Sequence, residues 1–295
     1  WGAVEKALAV PGSQFDLVLI NGEGSIRDDS RAARRIAVIA ERASSRGWPA
    51  YLVNASEEGN SKQVMDGLRA CRLRFVRDSA SQASLERAGL SSKVIPDLTL
   101  SWAGAPKARP AGSTLLVTDA SDSKKSTRIL RMAARWSAAQ TVSFRTRPPW
   151  PARGDRSRRI GFEIKRVVAA LAPRSEWSER HAGSRSQDAL LRLWASAQGV
   201  VCARYHAVCL ALRTGLPFVA VEGNIGKVSG LLSDIRLMPR LTTLETLEAQ
   251  GSAPQVMPFS PEEQERISAF LTQAERSAKE MFAAIADDAR TVARH

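Results

Sequence analysis

The sequence is poor in cysteine, and the cysteines it has do not suit a disulfide framework or a metal site. Among its 295 residues there are three, Cys71, Cys202 and Cys209, which lie beside apolar residues and show no CxxC spacing. Cysteines in such surroundings pack as small apolar side chains, so all three are expected to be reduced. A cytoplasmic location is the expectation that follows.

Long apolar runs are also missing. No run approaches the roughly 18 residues that span a bilayer, and no basic segment followed by an apolar one opens the chain as in a signal peptide. The first residue is Trp1 rather than Met, so the sequence is expected to be a piece of a longer protein.

Several functional motifs are absent as well. The sequence has no HExxH motif, no P-loop and no GxSxG motif, so neither a metal nor a resident cofactor is expected. Aromatic residues make up 6% of the chain, and no pattern typical of nucleic-acid-binding domains occurs, which argues against nucleic acid as a partner.

Positive charge, in contrast, is abundant. The 43 Lys and Arg residues against 30 Asp and Glu give a net charge of +13. Such a field attracts phosphates, acidic polymers and anionic membrane surfaces, so an anionic ligand and peripheral association with a membrane are both predicted. Basic helix faces that are simply solvated give the same composition, and this alternative stays open.

Short apolar runs alternate with stretches that have the apolar spacing of an α-helix. A buried strand is predicted at residues 15–21 and an amphipathic helix at residues 30–46. The further predicted strands and helices are 50–54, 62–70, 73–77, 79–88, 93–95, 114–118, 124–139, 141–144, 185–197, 199–202 and 217–221. This alternation predicts an α/β fold with parallel sheets and Rossmann-like lobes.

The pattern breaks once, at residues 101–113, which lack periodicity and predict a linker. A single long helical pattern covers residues 261–293. The predicted organisation is an N-terminal Rossmann-like lobe at 1–105, a C-terminal Rossmann-like lobe at 106–260 and a C-terminal helix at 261–295. Residues 146–159 hold three prolines and five arginines and predict a basic loop.

The first candidate site follows the strand predicted at 15–21. It is the segment Asn21-Gly22-Glu23-Gly24-Ser25, whose glycines predict a tight turn at the edge of the sheet where ligands bind. A carboxylate argues against a simple phosphate loop, and Glu23 is suited to accept the proton of an attacking sugar hydroxyl. Capping of the next helix, or pairing with Arg27, is the structural alternative for Glu23.

The second candidate site is Arg204-Tyr205-His206, which follows the strand predicted at 199–202. His206 is one of three histidines, and histidine is the side chain best suited to exchange protons near neutral pH. Arg204 offers a planar fork for a carboxylate or phosphate. The further candidates also follow strands, where capping or solvation is the alternative, and they are Asp119, Arg145, Asn224 and Lys227.

Several of these segments, in this order, resemble the polysaccharide pyruvyl transferase family. The segments that carry the resemblance are residues 16–25, 77–81, 94–99, 203–208 and 215–218, followed by Lys227. The resemblance implies a fold similar to GT-B glycosyltransferases, with two Rossmann-like lobes and a cleft between them. The opening strand typical of the family is absent, so the first lobe is expected to lack it. This would expose the edge beside the strand at 15–21, which a neighbouring chain or a missing segment is expected to cover.

The resemblance also implies an activity. Family members transfer a pyruvyl unit from phosphoenolpyruvate to sugar hydroxyls of bacterial surface polysaccharides and form a ketal. Arg204 and Lys227 would then hold the donor, His206 would act as an acid or donor ligand, and Glu23 would be the acceptor base. A saccharide acceptor, free or lipid-linked, is the implied partner, and a GT-B-like glycosyltransferase using a nucleotide-activated sugar, such as a CMP-linked acidic one, is the alternative.

Overall fold

A computed structural model describes residues 15–105, 107–108, 113–144, 181–183, 187–223 and 226–293. The described residues fall into two compact units. The first reaches Ala103 and takes up the chain again from Ser268, and the second is Gly104–Ile267. The long C-terminal helix therefore contributes to both units, and the lobe boundaries predicted at residues 105 and 260 remain predictions.

The first unit contains a parallel sheet with the strand order β1-β2-β3-β4. Its strands are β1 (Val18–Arg27), β2 (Ala50–Glu58), β3 (Cys71–Val76) and β4 (Lys93–Val94). The helices that connect them are α1 (Arg31–Ser44), α2 (Lys62–Arg69) and α3 (Ser79–Arg87), and a 3₁₀ helix follows at Leu98–Ser101. Among the described strands, β1 lies at one edge of the sheet.

Helix α1 shows how the sequence builds this layer. Ser30 begins it as the N-cap, because its hydroxyl accepts a hydrogen bond from the Ala33 amide at 3.1 Å. The apolar stripe predicted from the sequence is buried against the sheet, and its members are Ala33, Ile36, Ala37, Ile39, Ala40 and Ala43. Helices α1 and α2 pack closely because small residues face each other. A Cβ on Gly67 of α2 would lie only 2.5 Å from the Ala37 Cβ of α1, so a larger residue does not fit there.

The second unit contains a parallel sheet with the strand order β10-β9-β8-β5-β6-β7. Its strands are β5 (Leu115–Thr118), β6 (Ala139–Ser143), β7 (His181–Gly183), β8 (Gly199–Cys202), β9 (Phe218–Val221) and β10 (Leu241–Thr242). Its helices are α4 (Ser123–Ala133), α5 (Gln187–Ser196), α6 (Tyr205–Thr214), α7 (Lys227–Asp234) and α8 (Leu244–Gln250), with a 3₁₀ helix at Met238–Arg240. The predicted α/β class with parallel sheets is confirmed.

The last helix, α9 (Pro261–Ala293), confirms the long C-terminal helix predicted from the sequence. Its start is a capping box: the Ser260 hydroxyl accepts from the Glu263 amide at 3.2 Å, and the Glu263 carboxylate accepts from the Ser260 amide at 2.9 Å. Its later turns cover the face of the first sheet that α1 leaves open, where Met281 packs beside Tyr51. Asp288 accepts hydrogen bonds from the Tyr51 hydroxyl at 2.7 Å and from the Arg72 guanidinium, which anchors this end of α9.

Some predicted bounds were wrong. The helix predicted at 124–139 ends at Ala133, and Ala139 already belongs to β6. The strand β7, which begins at His181, is missing from the predicted strands. The basic loop predicted at 146–159 lies outside the described residues. All three cysteines are buried and free, as predicted.

None of the helices that the structure describes is both long and apolar enough to cross a membrane.

Candidate functional site

Strand β1 runs through the segment that was predicted to be a turn. Residues 21–25 continue the strand as far as Arg27 and pair in parallel with β2, so the predicted turn is wrong. The reason is that β2 is equally extended and supplies backbone partners up to Glu58. Gly22 does not form a turn but allows β1 and β2 to pack closely. A Cβ at this position would lie 2.7 Å from the Ala55 Cβ, which is too close.

A bulge in β1 sets the position of Glu23. The pairing register with β2 shifts between Glu23 and Ile26, and Glu23 itself has a φ of +49°, in the left-handed region. A residue other than glycine pays roughly 1 kcal/mol or more for this conformation. Bulges redirect a side chain and collect at functional positions. The pairing of β1 with β2 therefore maintains a strained backbone conformation at Glu23.

The Glu23 carboxylate is held by two asparagines. Its Oε1 accepts a hydrogen bond from Asn21 Nδ2 at 3.2 Å and another from Asn54 Nδ2 at 3.3 Å. Asn54 is buried and also has a positive φ, +52°. The Glu23 side chain remains 40% exposed, so its carboxylate is oriented and still open to solvent. The predicted alternative, capping of α1, is wrong, because Ser30 is the cap.

Behind Glu23 lies a buried ion pair. Arg77, the residue after β3, donates from Nη1 to Asp97 Oδ2 at 2.7 Å, and the two side chains are 3% and 0% exposed. The same Nη1 lies 3.5 Å from Glu23 Oε2, and the Arg77 Nε donates to Ser56 Oγ at 2.7 Å. The Arg77 guanidinium thus contacts the carboxylates of both Asp97 and Glu23. Asp97 is its main partner, because that contact is shorter and buried.

Two aspartates near this pair have the capping roles expected of strand-end carboxylates. Asp78 accepts from the Ser81 amide at 2.7 Å and so caps α3, and it also accepts from the Ser56 hydroxyl at 2.9 Å. Asp97 Oδ1 accepts from the Thr99 amide at 2.9 Å at the start of the 3₁₀ helix. Both aspartates therefore cap a helix, and Asp97 is in addition the buried partner of Arg77.

In the second unit, Arg204-Tyr205-His206 follows a strand, β8, as predicted, and Arg204 is the residue before α6. Its guanidinium forms a fork with Asp119: Nε donates to Oδ1 at 2.7 Å and Nη2 to Oδ2 at 2.9 Å. Asp119 is 4% exposed at its side chain and also accepts from the Ser143 hydroxyl and the Phe144 amide. Asp119 therefore holds the Arg204 plane by the bidentate geometry of an arginine–carboxylate pair.

The residues after Arg204 open helix α6. Tyr205 and His206 occupy its first turn, with ring centroids 5.6 Å apart and planes at 81°. Tyr205 is half-buried, whereas His206 is exposed. The helix start places positive electrostatic potential beside these two side chains.

Lys227 begins helix α7, but a carboxylate already occupies that helix start. Glu222 accepts from the Gly223 amide at 2.8 Å and from the Ser229 amide at 3.1 Å. Gly226, the residue before α7, has a φ of +58°, in the left-handed region. Because Glu222 binds the Ser229 amide in the first turn of α7, an anion near Lys227 would compete with this carboxylate for the helix start.

The cysteine nearest to this site is unsuited to nucleophilic chemistry. Cys202 is the last residue of β8, two positions before Arg204, and it is fully buried. Burial raises the pKa of the Cys202 thiol well above its ordinary value. The thiolate, which is the reactive form, is therefore disfavoured.

The structure thus groups some predicted site residues and not others. In the first unit it brings Asn21 and Glu23 together, and in the second it brings Arg204 together with Asp119. Ser25 accepts from the Ser30 hydroxyl through its carbonyl oxygen, so it helps to begin α1. Arg145 and Asn224 lie outside the described residues.

Sequence reasoning missed three residues that shape these sites. Asn54 and Arg77 were predicted only as the last residues of the strands 50–54 and 73–77, and Glu222 only follows the strand predicted at 217–221. Each is polar at the end of an apolar strand, which was the available signal. Their partners, however, are 7 to 54 positions away in the chain, and no local pattern predicts such contacts.

A model of a protein family described as polysaccharide pyruvyl transferase matches residues 5–224. The matched stretch contains Asn21, Glu23, Arg77, Asp97 and the turn around Arg204. A search of curated proteins found no match.

Solved structures of similar fold include two trehalose-phosphate synthases. The α,α-trehalose-phosphate synthase (UDP-forming) from Burkholderia vietnamiensis has a TM-score of 0.52 and 12% identity, over 98% of this chain and 76% of that one. The corresponding protein from Burkholderia xenovorans, in complex with glucose-6-phosphate, has a TM-score of 0.51 and 11% identity, over 97% of this chain and 76% of that one. Both are GT-B glycosyltransferases, so the predicted GT-B-like fold is confirmed.

Proposed function

We propose that this chain, which belongs to the polysaccharide pyruvyl transferase family, transfers a pyruvyl group from phosphoenolpyruvate to a sugar of a bacterial surface polysaccharide. The observation that carries the proposal is the family match over residues 5–224, which includes Glu23, Arg204 and His206. The family makes the chain a transferase, as its sequence predicted. The identity of the donor and the roles of the individual residues are what we propose in addition.

The proposed reaction forms two C–O bonds at C2 of phosphoenolpyruvate. One sugar hydroxyl adds to C2 while C3 takes up a proton and becomes a methyl group. A second hydroxyl of the same sugar then displaces the phosphate from C2, and the products are a cyclic ketal and inorganic phosphate. The reaction needs a base for the hydroxyl protons, an acid for C3 and positive charge for the donor's carboxylate and phosphate.

Glu23 is proposed as the base. Its carboxylate is open to solvent at 40% side-chain exposure, while two amide groups, from Asn21 and Asn54, fix its orientation. A general base must stand within hydrogen-bond reach of the proton it removes, and a fixed carboxylate meets that need when a hydroxyl approaches β1. The adjoining Asn21, Gly22, Gly24 and Ser25 are proposed to line the path of the sugar.

The second unit is proposed to bind the donor. Arg204 uses Nε and Nη2 for Asp119, and its Nη1 group is proposed to hold the carboxylate or phosphate of phosphoenolpyruvate. Asp119 then acts by fixing Arg204 rather than by contacting the donor. His206 is proposed to supply the proton to C3, and Tyr205 and Lys227 to contact the donor. Arg145 and Asn224 are proposed as further donor contacts.

The proposal needs no resident cofactor and no metal, because phosphoenolpyruvate carries its own leaving group. The acceptor is a saccharide, which we propose is presented on a lipid carrier at the cytoplasmic side of a membrane. An anionic donor also agrees with the net charge of +13.

The test is phosphate release from phosphoenolpyruvate in the presence of candidate glycans. The full chain is expected to release phosphate only when the correct acceptor is present. Glu23→Gln keeps the shape of the side chain but removes the base, and it is expected to lower kcat by about 100-fold or more. Glu41→Gln, at an exposed position of α1, is the matched control and is expected to leave kcat unchanged. Absence of phosphate release with every acceptor, together with absence of phosphoenolpyruvate binding, would refute the proposal.

One observation favours a second candidate function. The UDP-forming synthases share the fold over nearly the whole chain, so a nucleotide-activated sugar, including a CMP-linked acidic one, is the competing donor. Thermal shift with UDP, GDP, CDP and CMP separates the two functions. Stabilisation by one nucleotide with no response to phosphoenolpyruvate would favour the glycosyltransferase.

A further inference from the structure

The exposed face of α1 carries a row of arginines. Arg31, Arg34 and Arg42 are exposed, and Arg35 is half-buried. At 3.6 residues per turn, these four side chains lie within about 60° on either side of Val38, which is itself 38% exposed. The row extends for about 17 Å along the helix. The opposite side of α1 is the apolar stripe buried against the first sheet.

A recess of about 300 Å³ opens at the start of this row. It is lined by Asp29, Arg31, Arg34, Arg35 and Val38. Asp29 is the acidic member, and one of its carboxylate oxygens accepts from the Ser61 amide at 2.8 Å. Besides Asp29, the polar side chains that line the recess are arginines. Its chemistry is therefore that of a site for a phosphate group next to an apolar surface.

A second basic helix shows a different arrangement. In α4, Arg128 is matched by two carboxylates of α8: it donates to Glu248 and, at 3.2 Å, to Glu245. Helix α1 contains a single acidic residue, Glu41, at the margin of its arginine row. The arginines of α1 thus lie on one face of the helix, and Arg31, Arg34 and Arg42 are exposed there.

We propose that the arginine face of α1, defined by Arg31, Arg34, Arg35, Val38 and Arg42, docks on an anionic phospholipid membrane. Guanidinium groups pair with lipid phosphates in a bidentate manner, and Val38 supplies a small apolar contact at the headgroup level. A straight row on a convex helix surface matches an extended plane of phosphates. Such docking would hold a soluble catalytic unit next to acceptors that are attached to lipid.

Lipid vesicles provide the direct test. The full chain is mixed with vesicles of phosphatidylglycerol and phosphatidylcholine, or of phosphatidylcholine alone, and the bound fraction is measured by sedimentation at low and high salt. The wild-type chain is expected to bind only the anionic vesicles, and less at high salt. Arg31→Gln/Arg34→Gln/Arg42→Gln, which removes the three exposed positive charges of this face, is expected to weaken binding at least tenfold.

A variant of α4 is the matched control. Lys124→Gln/Lys125→Gln/Arg131→Gln removes the same number of charges from the other basic helix and is expected to change vesicle binding less than twofold. Circular dichroism and thermal unfolding confirm that both variants are folded. The docking proposal also predicts unchanged phosphate release with a water-soluble acceptor, so its failure is distinguishable from a failure of the proposed reaction.

Three results would overturn the proposal. The first is that the wild-type chain does not bind anionic vesicles. The second is an equal loss of binding in the two variants, which would mean that net charge alone is responsible. The third is retention on a soluble acidic polymer, such as polyglutamate, through the same three arginines without binding to vesicles.

Discussion

Arg204 and Asp119 form a bidentate pair, with Nε to Oδ1 at 2.7 Å and Nη2 to Oδ2 at 2.9 Å. The pair joins the carboxyl ends of β5 and β8, which are neighbours in the second sheet. The side chain of Asp119 is buried and that of Arg204 is 19% exposed. An arginine fixed in this way presents its remaining N–H groups in one direction, which suits the recognition of a planar carboxylate or a phosphate.

The first prediction concerns Asp119→Asn. The amide keeps the size of the side chain but loses the charge and one acceptor for Arg204, so the guanidinium should become mobile. We expect KM for phosphoenolpyruvate to rise by about tenfold or more, with a smaller change in kcat, since ground-state binding is what the pair supports. Steady-state kinetics with varied donor measures this. An unchanged KM would show that Arg204 does not hold the donor.

A second prediction concerns the buried pair of Arg77 and Asp97. Asp97→Asn leaves a guanidinium that is 3% exposed without its main partner. Removing one member of a buried ion pair costs about 3 kcal/mol or more in the free energy of unfolding. The matched control is Lys62→Gln, because Lys62 pairs with Asp66 on the surface at 88% exposure and should contribute less than about 0.5 kcal/mol. Urea unfolding of both variants measures the difference; equal stabilities would contradict a structural role for Asp97.

A third prediction is that acid weakens the contacts of Asp288 that hold the end of α9 against the first sheet. The side-chain hydrogen bonds from Arg72, and then from Tyr51, lower the pKa of Asp288 below its ordinary value of 3.8. A lowered pKa in the folded state means that the stabilisation is complete above the ordinary value and is lost as pH falls through the folded pKa. We therefore expect Asp288→Asn to reduce stability at pH 7 and to make it less sensitive to pH below about 4.

The Asp288 prediction is checked by urea unfolding of the wild-type chain and of Asp288→Asn between neutral pH and pH 3. The two curves of stability against pH should converge as the pH falls. Parallel curves would show that the Asp288 carboxylate has the same proton affinity in the folded and unfolded chain, contrary to the hydrogen bonds from Tyr51 and Arg72.

The fourth prediction concerns the thiols. Burial raises the pKa of Cys71 to about 12 and that of Cys202 well above its ordinary value, and Cys209 is also buried. Since the thiolate is the reactive species, a thiol reagent at pH 8 should label none of the three in the native chain and all three in urea. Rapid labelling of a thiol in the native chain would contradict this burial.

The sequence allowed much of the fold to be predicted, for physical reasons that particular elements show. The apolar stripe of α1 and the capping signals before α9 are local, so both helices were predicted close to their observed bounds. Strand β1 was cut short at Asn21 because polar residues and glycines normally end strands. Its continuation to Arg27 depends on pairing with β2, which only the tertiary structure supplies.

The candidate sites also contain local features that the sequence predicts and contacts between strands that it does not predict. The turn at Arg204 was predictable, because a buried strand, a charged residue and a helix start follow one another directly in the sequence. The partners of Glu23 were not, since Asn54 and Arg77 come from two other strands. Its positive φ was also unpredictable, because a left-handed glutamate is adopted only where neighbouring strands enforce it.

The central claim is that phosphoenolpyruvate is the donor and that a ketal is the product. The most direct measurement follows phosphoenolpyruvate labelled with carbon-13 at C2 by NMR, in the presence of the full chain and its acceptor glycan. The account predicts that the label moves into a carbon bonded to two oxygens of one sugar, with one phosphate released for each ketal, and that Glu23→Gln slows the transfer by about 100-fold or more. A label that stays in phosphoenolpyruvate, or that appears only in free pyruvate, would contradict it.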